Sequence, residues 1–230
     1  MSYILHIDTA IHSAHICIAQ NGNVLIHQSN DEQKDHSHFI HAAIQVMLQQ
    51  CNLTIQNIHA IAISAGPGSY TGLRIAYATA KGLCFTLGIP LIAINTLEIM
   101  AATAKNSWLN KGNYTQVLFC PMIDARRMEV FSAVYNYDLS TLIEPIANVI
   151  DENFLQKLLV KHPIVFIGNG TEKYKNITKS NQAIFIDEPY NYMVISDIAF
   201  KKYVNASFEQ IETAIPFYIK EFFTTANLHG

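Results

Sequence analysis

Charge is the scarcest commodity in this sequence. Asp, Glu, Lys and Arg together make up 14% of its 230 residues, against roughly 25% in an average soluble domain. A surface so thinly charged is expected to be covered in part by something else. Arginine is rarer still, at Arg74, Arg126 and Arg127 alone, and the formal net charge is −3. Without an excess or a cluster of cations, the chain lacks the footprint that grips a phosphate backbone directly. The four cysteines, Cys17, Cys51, Cys84 and Cys120, each lie in an apolar run, and none forms a C-x-x-C pair. That argues against disulfides and zinc and for free thiols in a reducing compartment. No apolar run approaches the ~20 residues of a membrane span. His6 and Asp8 interrupt the apolar start at Ile4-Leu5, so no secretory leader is expected and a cytoplasmic location is.

What is present is apolar: 50% of the residues are hydrophobic, enough for a core without staples. The length suits one domain or two small lobes. Residues 3–7, 14–19 and 24–28 read as short strands, with Asp8-Thr9 and Asn21-Gly22-Asn23 as turns, which predicts an antiparallel meander. A helix is expected from about His36, with Asp35 as N-cap, because Phe39, Ile40, Ala43, Ile44, Met47, Leu48 and Cys51 recur at helical spacing. Strand 59–64, a glycine-rich turn at Ala65–Gly72, a helix to Leu87, strand 91–94 and helix 96–104 follow. The polar run Lys105–Asn113 is the expected link between lobes.

The pattern then restarts. Strand 117–123 ends in Asp124-Ala125, as Ile4–Ile7 ends in Asp8-Thr9. Strands are expected at 128–135 and 147–150, a helix at 154–160, a strand at 164–167 running into Gly168-Asn169-Gly170, a strand at 183–186, a helix at 195–206 and an extended tail from Phe208. Three strands, helix, strand, helix, strand, helix, written twice, describes a duplicated α/β fold, with an N-terminal lobe over 1–107 and a smaller C-terminal lobe over 108–230. The last helix and tail are expected to pack back on the first lobe.

Gly66, Gly68 and Gly72 allow a backbone or an anion to approach closely, so the turn can serve either tight packing or a ligand. It is not the dinucleotide fingerprint, because Gly72 comes one residue too late and Pro67 offers no N–H. No Gly-Lys-Ser/Thr follows, and it is not a G-x-S-x-G elbow.

The string AGPGSYTGLRIA at Ala65–Ala76 resembles the signature of the TsaB family, also labelled YeaZ or glycoprotease-like. Ile4–Ala10, His36-Ser37, Ala80–Leu83, Asn95–Glu98, Ile123–Arg127 and Pro216–Tyr218 are similar to further family segments, so the resemblance spans nearly the whole chain. Tyr70 stands where Phe is common, and Ala76 where Gly is. The resemblance implies the actin/Hsp70/sugar-kinase type of fold. It also implies pairing with a larger TsaD-type relative that carries catalysis, joined by a TsaE-type ATPase. That assembly transfers threonylcarbamoyl to N6 of adenosine 37 in tRNAs reading ANN codons, from an adenylate donor made by a fourth protein. On this reading the chain touches tRNA only indirectly, needs no cofactor or metal, and forms a homodimer when its partner is absent.

In the catalytic relatives a segment resembling Asn-His-x-Glu-Gly-His holds a metal through its two histidines. Here Thr96 and Met100 take those places, and neither is a credible replacement ligand. His38 and His41 share a helix face but lack further ligands for zinc. Ser69 has no base fixed beside it. Asp8 and Asp124 suit Asx-turns or, alternatively, a metal or water beside a phosphate. Arg126 and Arg127 are either solvated hairpin charges or bidentate partners of a carboxylate. Asp8, Gly66, Gly68, Gly72, Asp124 and Arg126 would mark a vestigial ligand cleft.

The helix from Gly72 to Leu87 is apolar nearly all round, as a helix buried on two sides is. Either it lies sandwiched in one lobe, or its second face meets another protein. In the latter case His36, Phe39, Ile40, Arg74, Ile75, Ala78, Lys81, Gly82 and Phe85 form the partner surface, and two helices from each side make a four-helix contact. The competing functions are a small-molecule kinase or ATPase of the same fold, a metallopeptidase (against which stands the lack of H-E-x-x-H), and a purely structural homodimer.

Overall fold

The computed structural model describes residues 1–32, 36–113, 116–188 and 191–220. Strands β1 (Tyr3–Asp8), β2 (Ala14–Gln20) and β3 (Asn23–Asn30) form the antiparallel meander. Its second turn holds Asn21 and Gly22 at φ 49° and 82°, the left-handed pair that a two-residue hairpin of this twist needs. Helix α1 (His36–Gln50), β4 (Ile58–Gly66), α2 (Tyr70–Leu87), β5 (Leu91–Asn95) and α3 (Thr96–Asn110) follow. Parallel addition of β4 and β5 gives the order β3-β2-β1-β4-β5.

The second half repeats this plan. It runs β6 (Leu118–Asp124), β7 (Glu129–Tyr135), β8 (Thr141–Val149), α4 (Gln156–Leu159), β9 (Ile164–Ile167), α5 (Thr171–Lys175), β10 (Ala183–Ile186) and α6 (Tyr192–Val204). Its sheet has the equivalent order β10-β9-β6-β7-β8. Gly66 after β4 and Gly168 after β9 share φ +108°. This is the duplicated βββαβαβα arrangement of the actin/Hsp70/sugar-kinase fold.

Side-chain alternation along the strands divides the core. Leu5, Ile7, Ile16, Ile18, Ile61 and Ile63 point to one face, against Ile40 and Met47 of α1 and Ala76, Ala80 and Cys84 of α2. Ile4, Ala60, Ala62, Ile92 and Ile94 point to the other, against α3 and against Val194, Ile195 and Ala199 of α6. Helix α3 lies between the two sheets. Its Ile99 and Ala102 join the first sheet's cluster, while Leu97, Ala101 and Ala104 pack with Phe119, Ala133, Val165 and Ile167 of the second. After α6, Glu209 bridges β5 at Leu91, and the tail continues along the first sheet's outer layer.

Several expected boundaries move. Helix α3 continues to Asn110 rather than ending at Ala104, so much of the polar run 105–113 is helical and the expected 107/108 division falls inside the helix. Strand β8 spans nine residues rather than four; it lies at a sheet edge, where Pro145 is tolerated. Helix α4 is only one turn, and α5, a single turn of five residues, fills the helix place of the repeated pattern to which no segment had been assigned. Helix α2 starts two residues early, at Tyr70, because Ser69 caps it. Helix α6 begins at Tyr192 behind Asn191. The expected N-cap Asp35 lies outside the described residues. No helix among the described residues is long and apolar enough to cross a membrane.

One buried group gives the first lobe a pH dependence. His6, on β1 between Cys17 of β2 and Ala62 of β4, is 1% exposed. Neither ring nitrogen has a hydrogen-bond partner, and burial pushes its pKa down to about 3. The unfolded chain takes up this proton near the ordinary value of about 6.5, and the folded chain refuses it until far lower. Stability is therefore full above that value and falls as the pH drops toward 3, by up to about 1.4 kcal/mol per pH unit from this group. Urea unfolding at pH 7, 5.5 and 4.5 is expected to show a shallower acid decline for His6→Leu than for the parent; parallel declines would refute the assignment.

Candidate functional site

Helix α2 is positioned by its ends and by one face. The Ser69 hydroxyl accepts a hydrogen bond from the Gly72 N–H at 3.2 Å, an N-cap. Gly88, at φ 64°, closes the far end with its N–H on the Cys84 carbonyl, as left-handed C-caps do. Leu73, Ala76, Tyr77, Ala80 and Cys84 are buried on the sheet. The opposite row runs Arg74, Ala78, Gly82 and Phe85, all exposed, with Ile75 and Lys81 half-buried at its margins. Phe85 is 79% exposed. A Cβ built at Gly82 would meet nothing within 4 Å. A glycine inside a helix costs about 1 kcal/mol relative to alanine, and among the described residues no contact requires this one.

Two residues expected on this surface are not there. Ile40 is fully buried and His36 nearly so, because Ile40 shares the sheet-facing stripe of Ala43, Ile44 and Met47. Phe39 is half-buried at the stripe's edge, and α1 offers solvent Ser37, His38, His41, Ala42, Gln45, Val46 and Gln49. Arg74 and Lys81 are tethered rather than free. Arg74 Nε donates to the Tyr218 hydroxyl at 3.3 Å, and its guanidinium lies 4.1 Å from the centre of the Tyr70 ring. Lys81 Nζ donates to the carbonyls of Glu212 and Ala214 at 3.3 and 3.0 Å. The aromatic tail itself escaped the sequence reading of the surface; the alternation Ala214-Ile215-Pro216-Phe217-Tyr218 was the available signal.

The glycine-rich turn is packed shut. A Cβ at Gly68 would overlap the Ala10 carbonyl, one at Gly72 the Thr9 carbonyl, and one at Gly66 the Phe217 carbonyl. Ser69 N–H donates to the Ala10 carbonyl at 2.7 Å, and the Thr9 hydroxyl donates to the Gly72 carbonyl at 2.6 Å. The amides of Ser69 and Gly72, which an anion loop would present, are thus already engaged. Of the two functions open to this turn, the geometry serves close packing.

Both strand-tip carboxylates make Asx-turns. Asp8 Oδ1 accepts from the Ala10 N–H at 2.8 Å, and Asp124 Oδ1 from the Arg126 N–H at 2.6 Å. Partial burial opposes ionisation of Asp124, but Lys173, 2.8 Å away, and the Arg126 amide hold its carboxyl below the usual value. Gly68, Asp124 and Arg126 do meet, around a recess of about 540 Å³ that Tyr70, Phe217 and Tyr218 also line. Asp8, Gly66 and Gly72 do not line it.

A separate cavity of about 230 Å³ opens between the lobes, lined by Ile11, Thr96, Ile99, Met100, Ile167 and Gly168. A Cβ at Gly168 would overlap the Met100 methyl, so this thioether bridges α3 to the turn after β9. The two positions matching the relatives' histidines therefore offer one hydroxyl and one thioether seated on glycine. These donors do not fit a hard or borderline cation, and no cluster of three or more His, Cys, Asp or Glu suited to a metal occurs among the described residues.

With this geometry in place, likeness to known proteins becomes informative. The family model described as TsaD, tRNA N6-adenosine threonylcarbamoyltransferase, matches residues 23–221. The tRNA threonylcarbamoyladenosine biosynthesis protein TsaB of Bacillus subtilis (strain 168) is 32% identical over 177 residues, covering 76% of this chain and 74% of the relative. Its namesake in Escherichia coli (strain K12) is 27% identical over 229 residues, or 94% of each. In fold, the chain matches a crystal structure from Pseudomonas aeruginosa of an uncharacterized protein with similarity to peptidase YEAZ. That match has a TM-score of 0.77 at 20% identity and covers 96% of this chain and 100% of the other.

The glycines make opposite predictions. Gly68→Ala and Gly72→Ala force a methyl against fixed carbonyls and are expected to cost about 1–3 kcal/mol each. Gly82→Ala is expected to stabilise the isolated chain by about 0.5–1 kcal/mol. Denaturant unfolding of the three variants checks this, and equal effects at all three sites would contradict the packing account.

Proposed function

Since the chain belongs to the TsaB family, we propose that it serves as a non-catalytic partner subunit in N6-threonylcarbamoylation of adenosine 37 in tRNAs reading ANN codons. It docks a larger TsaD-type catalytic relative through the outer face of α2, and a TsaE-type ATPase completes the assembly in the cytoplasm. It meets tRNA only through these partners and calls for no cofactor of its own. Without the catalytic relative, the same face pairs two copies about a two-fold axis, as a self-complementary helix surface can.

The observation that carries this reading is the bare row at Ala78, Gly82 and Phe85. Small residues let a second helix approach closely. Burying the Phe85 ring in such a contact is worth roughly 1.5–3 kcal/mol, which is otherwise forgone to solvent. Gly82 is unfavourable to the lone helix and favourable to a close crossing. The net charge of −3 with only three arginines supports indirect contact with tRNA. The hydroxyl and thioether at Thr96 and Met100 support a division of labour in which the larger relative keeps the chemistry.

Ala78→Asp and Phe85→Asp place a charge on this row without touching the buried stripe. Each is expected to weaken binding to the TsaD-type relative by at least tenfold in titration calorimetry while leaving the thermal midpoint within about 2 °C of the parent, as surface substitutions usually do. Parent-like affinity in both variants would refute docking through α2.

A further inference from the structure

We infer that the cavity between the lobes is a binding site for a free aliphatic amino acid, whose ammonium and carboxylate are held at the mouth and whose side chain lies on the floor. No residue of α2 lines this cavity, so the site stands or falls apart from the docking proposed above.

The cavity sits where α/β folds keep their ligands, at the carboxyl ends of parallel strands. Ile123 and Ile167 come from the ends of β6 and β9, Ile99 and Met100 from the start of α3 directly after β5, and Ile11 from the turn between β1 and β2. Both lobes thus contribute. Its volume of about 230 Å³ holds roughly eight waters at ~30 Å³ each. That is below the roughly 300–1,000 Å³ of pockets for drug-sized ligands, so the occupant is a small metabolite.

Floor and mouth differ. Ile99, Ile123 and Ile167 are buried, with Met100 and Ile11 half-buried beside them. The threonines of the wall add no free hydroxyl there. Thr103 donates its own to the Ile99 carbonyl at 2.9 Å, and that of Thr96 is sealed from solvent. A buried water wants two to four polar partners, and the side chains of the floor offer none. Water is therefore poorly held there, and an apolar group that displaces it gains affinity.

Asn169 is exposed and Glu188 half-buried, which puts these polar groups at the mouth. Glu188 Oε1 accepts from the Ser107 hydroxyl and, at 2.6 Å, from Lys111 Nζ. The bonds from Lys111 and Ser107 hold its carboxyl below the usual value, so it is ionised at neutral pH. Its Oε2 has no hydrogen bond among the described residues. Asn169 Oδ1 accepts from the Asp124 N–H at 2.9 Å, which leaves the amide NH₂ as a donor. The mouth thus offers one anionic acceptor and one neutral donor. An ammonium fits Glu188 through a charge-assisted hydrogen bond, a carboxylate fits the Asn169 amide, and an aliphatic chain fits the floor. An α-amino acid carries all three on one carbon. A nucleotide does not fit, because no lysine or arginine lines the cavity among the described residues and a phosphate there would meet the like charge of Glu188. Touching both lobes, the amino acid stabilises the folded chain by mass action.

The test is titration calorimetry and thermal unfolding of the full chain with L-leucine, L-methionine, glycine, isocaproate, isoamylamine and adenosine. Leucine and methionine are expected to bind with Kd on the order of 0.1–1 mM, within reach of about nine non-hydrogen atoms. At about 10 mM they are expected to raise the unfolding midpoint by about 3–6 °C. Glycine lacks the side chain, isocaproate the ammonium and isoamylamine the carboxylate, and each is expected to bind at least tenfold more weakly. Glu188→Gln and Asn169→Ala are each expected to weaken leucine binding at least fivefold. Without ligand both variants keep a parent-like midpoint, since exposed polar pairs contribute little. Failure of both amino acids to bind at about 10 mM overturns the proposal, as does equal binding of glycine, isocaproate or isoamylamine, or tighter binding of adenosine. Undiminished leucine binding in both variants places the amino acid elsewhere and overturns the site.

Discussion

Two backbone carbonyls, of Thr9 and Ala10, occupy the space where the Cβ atoms of Gly72 and Gly68 would project. This contact fixes the first turn of α2 against the β1–β2 hairpin at a distance only glycine permits. It also sets which way the rest of the helix faces. With Ala76, Tyr77, Ala80 and Cys84 committed to the core against the sheet and Leu73 buried beside them, helical geometry leaves Arg74, Ala78, Gly82 and Phe85 on the solvent side. The same closeness engages the amides that a phosphate loop of this shape would otherwise offer.

The duplication is unequal in a way that bears on function. The first lobe carries outer helices of 15 and 18 residues, the second only single turns of four and five at the equivalent places. A long rigid helical layer, suited to meeting another protein, thus exists on one lobe alone. Between the lobes, α3 is packed on both sides, and Met100 rests on Gly168 across the cleft. Membership of the TsaB family and the surroundings of Thr96 and Met100 fit a member that contributes surface rather than chemistry.

Much of this was legible beforehand, for definite reasons. The strands and α2 announce themselves through apolar periodicity, and the two halves through the paired motifs at Asp8 and Asp124 and at Gly66 and Gly168. Short elements escaped. Five residues at Thr171–Lys175 carry too little periodicity to signal a helix, and Glu144 and Pro145 disguised the middle of β8, an edge strand that accommodates both. The polar composition of 105–110 concealed the last turn and more of α3, because polarity there reflects a solvated helix end rather than a loop. On α1, apolar spacing marked a buried stripe, and assigning Ile40 to a partner conflated that stripe with an exposed one. The ties of Arg74 and Lys81 to the tail join residues more than 130 positions apart, a proximity no local pattern encodes.

The central claim is that this chain acts by being bound and does not itself transform a substrate. The most direct measurement is threonylcarbamoyladenosine formed on tRNA by purified components: the TsaD-type relative, the TsaE-type ATPase, the threonylcarbamoyl donor and this chain, with each omitted in turn. The account predicts product only when this chain and the catalytic relative are both present, and none from this chain without the relative. Undiminished product in the absence of this chain, or turnover by this chain alone, would contradict it.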